Sequence, residues 1–150
     1  LEKIMNITIY NATNKPTELE KTKIVNFLHK HLGQYGDPKE DILNCLSFAL
    51  KERVSFGGFV VIAKEDDEIV GAVIINKTGM NGYIPENILV YIATHEEHRG
   101  KGIGKKLMEK SISMASGDIA LHVEANNPAK KLYEHFGFTN PYLEMRLKRS

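Results

Sequence analysis

Residues 99–105, Arg-Gly-Lys-Gly-Ile-Gly-Lys, constrain the fold more than any other stretch, because three glycines and three cations stand where a strand gives way to a helix. Glycine reaches backbone dihedrals closed to other residues and lets a ligand come close to the main chain. The first turn of a helix leaves its N–H donors unpaired, and such donors favour an anion. Upstream, residues 87–94 (NILVYIAT) form an apolar run rich in β-branched and aromatic residues, which predicts a buried strand. Downstream, Ile103, Leu107, Met108, Ser111 and Met114 recur at helical spacing with lysines and Glu109 between them, which predicts an amphipathic helix. Strand, glycine loop and helix together predict a phosphate cradle.

Spacing separates this loop from two common nucleotide motifs. A dinucleotide fingerprint needs Gly-x-Gly-x-x-Gly, but the third glycine here is Gly104 and position 105 is lysine. A P-loop needs glycine at position 99 and Ser or Thr after its lysine, where this chain has Arg99 and Lys106. Lys101, Lys105, Lys106 and Lys110 cluster around the loop, which suits a polyphosphate; for Lys106 and Lys110 a solvated helix face is the simpler reading.

Arg99, Gly102 and Gly104 fill the Arg/Gln-x-x-Gly-x-Gly/Ala signature of the GNAT superfamily of acyl-CoA-dependent N-acetyltransferases, which this chain resembles. A second match follows in the right order: Leu121-His-Val-Glu-Ala-Asn-Asn-Pro-Ala129, then Leu132-Tyr133-Glu134 and Phe136-Gly137-Phe138, resembles the family's fifth strand and fourth helix. The close resemblance covers roughly residues 87 to 138. The first half shares only the order of elements.

That order is read from local signals. Residues 4–10 alternate like a strand, and Asn14-Lys15-Pro16 starts a helix that ends near Gly33. A second helix begins at Asp37-Pro38, with the aspartate as cap, and runs to about Arg53. After Gly57-Gly58, residues 59–63 and 68–76 read as a hairpin around the turn Glu65-Asp66-Asp67. Residues 77–86 read as a loop, and Tyr142–Leu147 as one closing strand. The expectation is a single α/β domain over residues 1–150, ordered β-α-α-β-β-β-α-β-α-β. By the resemblance it has a GNAT-type acyl-CoA N-acyltransferase fold, a mixed, splayed central sheet flanked by helices.

Composition narrows the partners. The formal net charge is +1, from 20 basic and 19 acidic residues, so no general field draws the chain to nucleic acid or anionic membranes, and any anion site must be local. No apolar run approaches the roughly 18–20 residues that span a bilayer, and no signal-peptide pattern is present, so a cytoplasmic location is expected. Cys45, the single cysteine, falls with Ile42, Leu46 and Ala49 on the apolar stripe of the second helix, which points to packing rather than an acyl-cysteine mechanism. The run Thr94-His-Glu-Glu-His98 lacks a supporting second pair of ligands, so no metal site is expected.

The resemblance implies acetyl-CoA as cofactor. Backbone groups of the segment Ile92, Ala93 and Thr94 would pair with its pantetheine arm as an added strand does. The loop through Arg99, Gly100, Lys101, Gly102, Ile103, Gly104 and Lys105 would hold its pyrophosphate. Family members also use one asparagine after the fifth strand. Counting forward from that strand favours Asn127, counting back from Tyr133 favours Asn126, and helix capping is the simpler role for either. Tyr133 matches the tyrosine that assists the departing thiolate, although its neighbours Leu132 and Phe136 also suit a core position. A phenol at about 10 and a thiol at about 8.5 make full proton transfer uphill, so a hydrogen bond is the expected help. The positions at which many relatives carry a glutamate fall on Val90 and His122, which leaves Glu86, through water, and His122 as candidate bases.

The implied activity is acetyl transfer from acetyl-CoA to a primary amine of a small molecule, peptide or protein. A catalytically weak acyl-CoA-binding or sensing module is the alternative, kept open by the missing strand glutamate. With one closing strand in place of two, the acceptor pocket is expected to draw on the first two helices, the loop through Lys77 to Glu86 and a second subunit in a homodimer.

Overall fold

The computed structural model describes residues 4–149, which form strands β1 (Met5–Tyr10), β2 (Gly58–Glu65), β3 (Glu68–Lys77), β4 (Asn87–Thr94) and β5 (Ile119–Ala120). The helices are α1 (Glu18–Leu32), α2 (Lys39–Ala49), α3 (Ile103–Met114) and α4 (Lys130–His135), with single 3₁₀ turns at Gly33–Tyr35 and Glu96–His98. The sheet order is β1-β2-β3-β4-β5; the first four strands are antiparallel neighbours and β5 runs parallel to β4.

Local chemistry sets most boundaries. Thr17 and Glu20 form a capping box at the start of α1, and the second carboxylate oxygen of Glu20 accepts the Tyr10 hydroxyl at 2.6 Å, tying the helix to the end of β1. That cap starts the helix at Glu18 rather than at Asn14-Lys15-Pro16, where the Asn14 amide donates instead to the Ile9 carbonyl. Gly33 ends α1 at φ 57, as expected. Helix α2 stops at Ala49, short of Arg53, because Lys51 turns left-handed at φ 55. Asp66 and Asp67 take φ 49 and 62 in the two-residue turn between β2 and β3, the left-handed pair that matches the twist of a hairpin.

Alternation along the strands builds two cores. Val60, Ile62, Ala72, Ile74, Tyr91 and Ala93 face α1 and α2, while Phe59, Val61, Val73, Ile75 and Leu89 face α3 and Tyr133. Helix α3 comes close at Gly71, where a Cβ would stand 2.7 Å from the Leu107 Cδ1. In β4 the register places Tyr91 opposite Ile74 but Leu89 opposite Ile75, so Val90 is an extra, bulged residue. Val90 and Tyr91 consequently both pack toward α1 and α2.

Two expectations fail. The fifth strand is Ile119–Ala120 and pairs only with Asn87 and Ile88, so Leu121-His-Val123 lies beyond the ladder. Tyr142–Leu147 forms no strand: Tyr142, Leu143, Met145 and Leu147 are 76–92% exposed. An alternating sequence needs a sheet edge to pair with, and β5 leaves the sheet after two residues, so the closing strand has no ladder to join. Through α4 the order of elements is the expected one.

Candidate active site

The departure of β5 leaves the edge of β4 open from Leu89 to Thr94. The His95 N–H donates to the Val70 carbonyl at 2.8 Å, on the β3 side. Backbone groups alternate along a strand, so those of Ala93 also face β3, and its carbonyl lies 3.6 Å from a Cβ built on Gly71. Those of Ile92 and Thr94 face the open edge. Ala93, expected beside them, instead turns its backbone to β3 and its side chain into the core.

The open edge leads into the glycine loop. Gly100 and Gly102 take φ 82 and 79, left-handed values that favour glycine, and a Cβ added to either meets nothing within 4 Å. Gly102 caps α3, and its carbonyl accepts the Lys106 N–H at 3.1 Å. The N–H groups of Ile103, Gly104 and Lys105 therefore precede the first intrahelical bond and point out of the helix. Ile103 is buried and anchors the helix start, while Lys101 and Lys105 are exposed beside it. A dinucleotide-type pyrophosphate fits this donor set: free amides, local positive charge and two faces without side chains.

Arg99 goes elsewhere. Its guanidinium donates to the His31 carbonyl at 3.2 Å, at the C-terminal end of α1, where a cation suits the helix dipole. The His31 Nδ1 accepts the Glu96 N–H at 3.3 Å, and its ring stacks 4.2 Å from that of His95. Burial pushes the His31 imidazole below its ordinary value, and the nearby His95 adds to that, so it stays a neutral acceptor. Arg99 and His31 thus brace the cradle from behind; His31 carries no sequence signal beyond its place four residues after Phe27 on the apolar stripe.

Tyr133 lies on the α3 face, 6% exposed, with its ring 6.0 Å from Phe138, and its hydroxyl makes no hydrogen bond among the described residues. Burial pushes the phenol up to about 12. A Cβ on Gly104 would stand 3.4 Å from the Leu132 Cδ2 and 3.5 Å from the Thr94 Oγ1, so α4, the start of α3 and the end of β4 converge. The Asn127 Oδ1 accepts the Ala129 N–H at 2.9 Å, a capping contact that leaves its amide NH₂ as a donor. The side chain of Asn126 is exposed, and its carbonyl accepts the Tyr35 hydroxyl at 3.1 Å.

The two candidate bases stand apart. Glu86 accepts the Asp118 N–H at 3.1 Å at the N-terminal end of β4, and Thr94 is about 25 Å further along an extended strand. His122 is exposed beyond β5. Cys45 is buried, accepts a hydrogen bond from the Asn76 amide at 3.4 Å and has its thiol pushed up to about 12 by burial, as befits a packing residue. Two further contributors, Asn87 and Tyr91, were not visible in the sequence. Asn87 donates its side-chain amide to the Ser116 and Asp118 carbonyls at 2.8 and 3.1 Å, clamping β5 to β4 below the gap. Tyr91 donates its hydroxyl to the Asp37 Oδ2 at 2.6 Å, so the aspartate expected to cap α2 serves β4, and Pro38 takes the cap position. Among the described residues no group of three metal-ligating side chains is assembled, and no helix is long and apolar enough to cross a membrane.

Known proteins resemble this chain in sequence and in fold. A family model described as the acetyltransferase (GNAT) domain matches residues 56–140. Over 85 residues the chain is 31% identical to N-alpha-acetyltransferase 30 of Schizosaccharomyces pombe (strain 972 / ATCC 24843), a match spanning 53% of this chain and 57% of that protein. The chain thus covers little more than half the length of this curated relative. Aminoglycoside N-acetyltransferase AAC(6')-Iy in complex with CoA has the same fold, with a TM-score of 0.71 at 16% identity over 99% of this chain and 97% of the other. Ribosomal-protein-alanine N-acetyltransferase from Brucella melitensis biovar Abortus 2308 superposes with a TM-score of 0.65 at 18% identity, covering 97% and 100% of the two chains. With the family match extending over more than half its length, on a fold shared with solved acetyltransferases, the chain belongs to the GNAT acetyltransferase family.

Proposed function

We propose that this chain transfers the acetyl group of acetyl-CoA directly to a primary amine, with the whole described fold acting as one catalytic domain. The observation that carries the reading is the continuity of the open β4 edge with the glycine cradle, beside a buried tyrosine whose hydroxyl has no partner among the described residues. The relatives support a nitrogen acceptor, since each is named for N-acetyl transfer. A reducing, cytoplasmic compartment fits the single buried thiol of Cys45.

Acetyl-CoA supplies an acetyl group activated as a thioester, carried on an arm with two amides and a pyrophosphate. Ile92 and Thr94 present backbone groups for those amides in the manner of an added strand. The amides of Ile103, Gly104 and Lys105, with Lys101 and Lys105 beside them, hold the pyrophosphate. Asn127 keeps one amide donor for the arm, and Asn126 is free to take the same role. Tyr133 keeps its proton on Oη and offers it as a hydrogen bond to the departing sulfur. In the overall balance the amine nitrogen gains the acetyl carbon, the carbon–sulfur bond breaks and the sulfur takes up one proton; starting from an ammonium, one proton is left to solvent. Glu86 stands at the far end of β4 from Thr94 and His122 is exposed beyond β5, so the ammonium loses its first proton through water.

Release of free CoA thiol from acetyl-CoA, across a panel of primary amines and short peptides with free N-termini, tests this. Amine-dependent thiol release with one acetyl group gained per thiol is expected. Thiol release without acetylated amine, or none with any amine, would overturn direct transfer to nitrogen.

A further inference from the structure

The connection between α1 and α2 carries two anchors on opposite sides of the gap between β4 and β5. Tyr35 donates its hydroxyl to the Asn126 carbonyl, in the segment that follows β5, at 3.1 Å. Two residues later, the Asp37 Oδ2 accepts the Tyr91 hydroxyl, from β4, at 2.6 Å. Cα atoms two residues apart are at most about 7 Å from one another, so this short stretch spans the mouth where the strands diverge. It does so on the sheet face covered by α1 and α2, because Tyr91 packs there, whereas Tyr133 belongs to the opposite face.

Asp37 is therefore placed across the gap from the tyrosine that faces the leaving sulfur. It is exposed, and it accepts no second hydrogen bond among the described residues, so one carboxylate oxygen is held by a buried hydroxyl while the other remains available. A carboxylate fixed in one rotamer is ready for a charge-assisted bond without first paying side-chain entropy. Its natural counterpart is a compact cation with several donors. No cluster of metal ligands accompanies it among the described residues, which points to an organic cation. A primary alkylamine is such a cation at neutral pH, offering three donors. A chain with a formal net charge of only +1 has no general field to gather it, so attraction must come from a local acid.

We propose that Asp37, positioned by Tyr91 at the mouth of the β4–β5 gap, anchors the ammonium group of the acceptor on the sheet face opposite Tyr133. The inference rests on the acetyl-transfer reading, and it makes the acceptor a charged primary alkylammonium rather than a neutral nucleophile. Anchoring moves no atom. The ammonium keeps its protons while bound to the carboxylate and passes one to water only as it advances into the gap.

The test needs no turnover. Protein carrying ¹³C-labelled tyrosine, with the Tyr91 signal assigned by Tyr91→Phe, is titrated with phenethylammonium chloride and, separately, with uncharged phenethyl alcohol, in the presence and absence of CoA. A saturable shift of Tyr91 with the ammonium and none with the alcohol is expected. Asp37→Asn should weaken that binding at least tenfold while leaving CoA affinity within twofold, and Asp37→Glu should restore part of it. No saturable Tyr91 shift in the unsubstituted protein, or equal binding in Asp37→Asn, would overturn the anchor and leave Asp37 as a tie for the connection between the helices. Failure of the acetyl-transfer reading would register separately, as absence of amine-dependent thiol release.

Discussion

Tyr133→Phe removes a single oxygen whose role follows from its surroundings. The phenol sits at about 12 because burial disfavours the phenolate, and an ordinary thiol sits at about 8.5. That gap of about 3.5 pKa units makes full transfer of the phenolic proton to a thiolate uphill by about 5 kcal/mol. In the proposed transfer the hydroxyl would instead donate a hydrogen bond to the developing anion, worth about 1.5–3 kcal/mol, or about 10- to 150-fold in rate. Tyr133→Phe should therefore lower kcat by that factor and leave the dissociation constant for CoA within twofold by calorimetry. Because the hydroxyl has no partner among the described residues, the melting temperature at neutral pH should hold or rise slightly. The sign of the pH effect is fixed as well. A phenol raised in the folded state contributes stability that is complete below about pH 10 and lost as pH climbs toward 12, where the unfolded chain ionises first. The wild type should lose stability in that window, and the variant should lose less. A kcat within twofold of wild type would refute the assignment, and so would a basic limb near pH 8–9 that vanishes in Tyr133→Phe.

Three further outcomes follow from the same geometry. Gly102→Val places a branched side chain at φ 79, at a cost of about 1–2 kcal/mol, and puts bulk where the proposed phosphate site lies; calorimetry should show CoA binding at least tenfold weaker in a folded variant. Asn87→Ala removes two amide donors, leaving the Ser116 carbonyl without its partner and the Asp118 carbonyl with the backbone N–H of residue 87 alone, so the denaturant midpoint should fall by the equivalent of about 1–2 kcal/mol; an unchanged midpoint would mean that β5 is held otherwise. His31 is held neutral in the fold, so its contribution is present above about pH 6.5 and lost on acidification below that value; the melting temperature should drop from pH 7 to pH 5, and His31→Gln should flatten the drop.

What the sequence disclosed and what it hid divide along contact distance. β4, α3 and the cradle between them are local: an apolar run, a helical stripe and glycines where the backbone turns left-handed at Gly100 and Gly102. Each can be read from a window of a dozen residues. Asp37 and Tyr91 lie 54 residues apart, and Tyr35 and Asn126 lie 91 apart, so nothing near any of them announces the pairing. Asp37 even carries a misleading local signal, because aspartate before proline suits a helix cap, and a buried hydroxyl on β4 competes successfully for its carboxylate. Arg99 is similar: a cation in a phosphate-type loop reads as a ligand, but the His31 carbonyl at the end of α1 takes it. Tyr142–Leu147 has the alternation of a strand, yet a strand is completed by its neighbour, and β5 is too short to be one. The bulge at Val90, which puts two successive side chains on one face, has no mark in the run Ile88-Leu-Val-Tyr91 at all.

In the proposed complex the donor lies along the open edge of β4 with its pyrophosphate on the glycine cradle. Amide chemical shifts recorded while CoA is titrated into ¹⁵N-labelled protein test it most directly. The largest saturable changes should fall on Gly100 to Lys105 and on Ile92 and Thr94, with Ala93, whose N–H faces β3, moving less. Saturable binding that leaves the amides of Gly100 to Lys105 unmoved would contradict it.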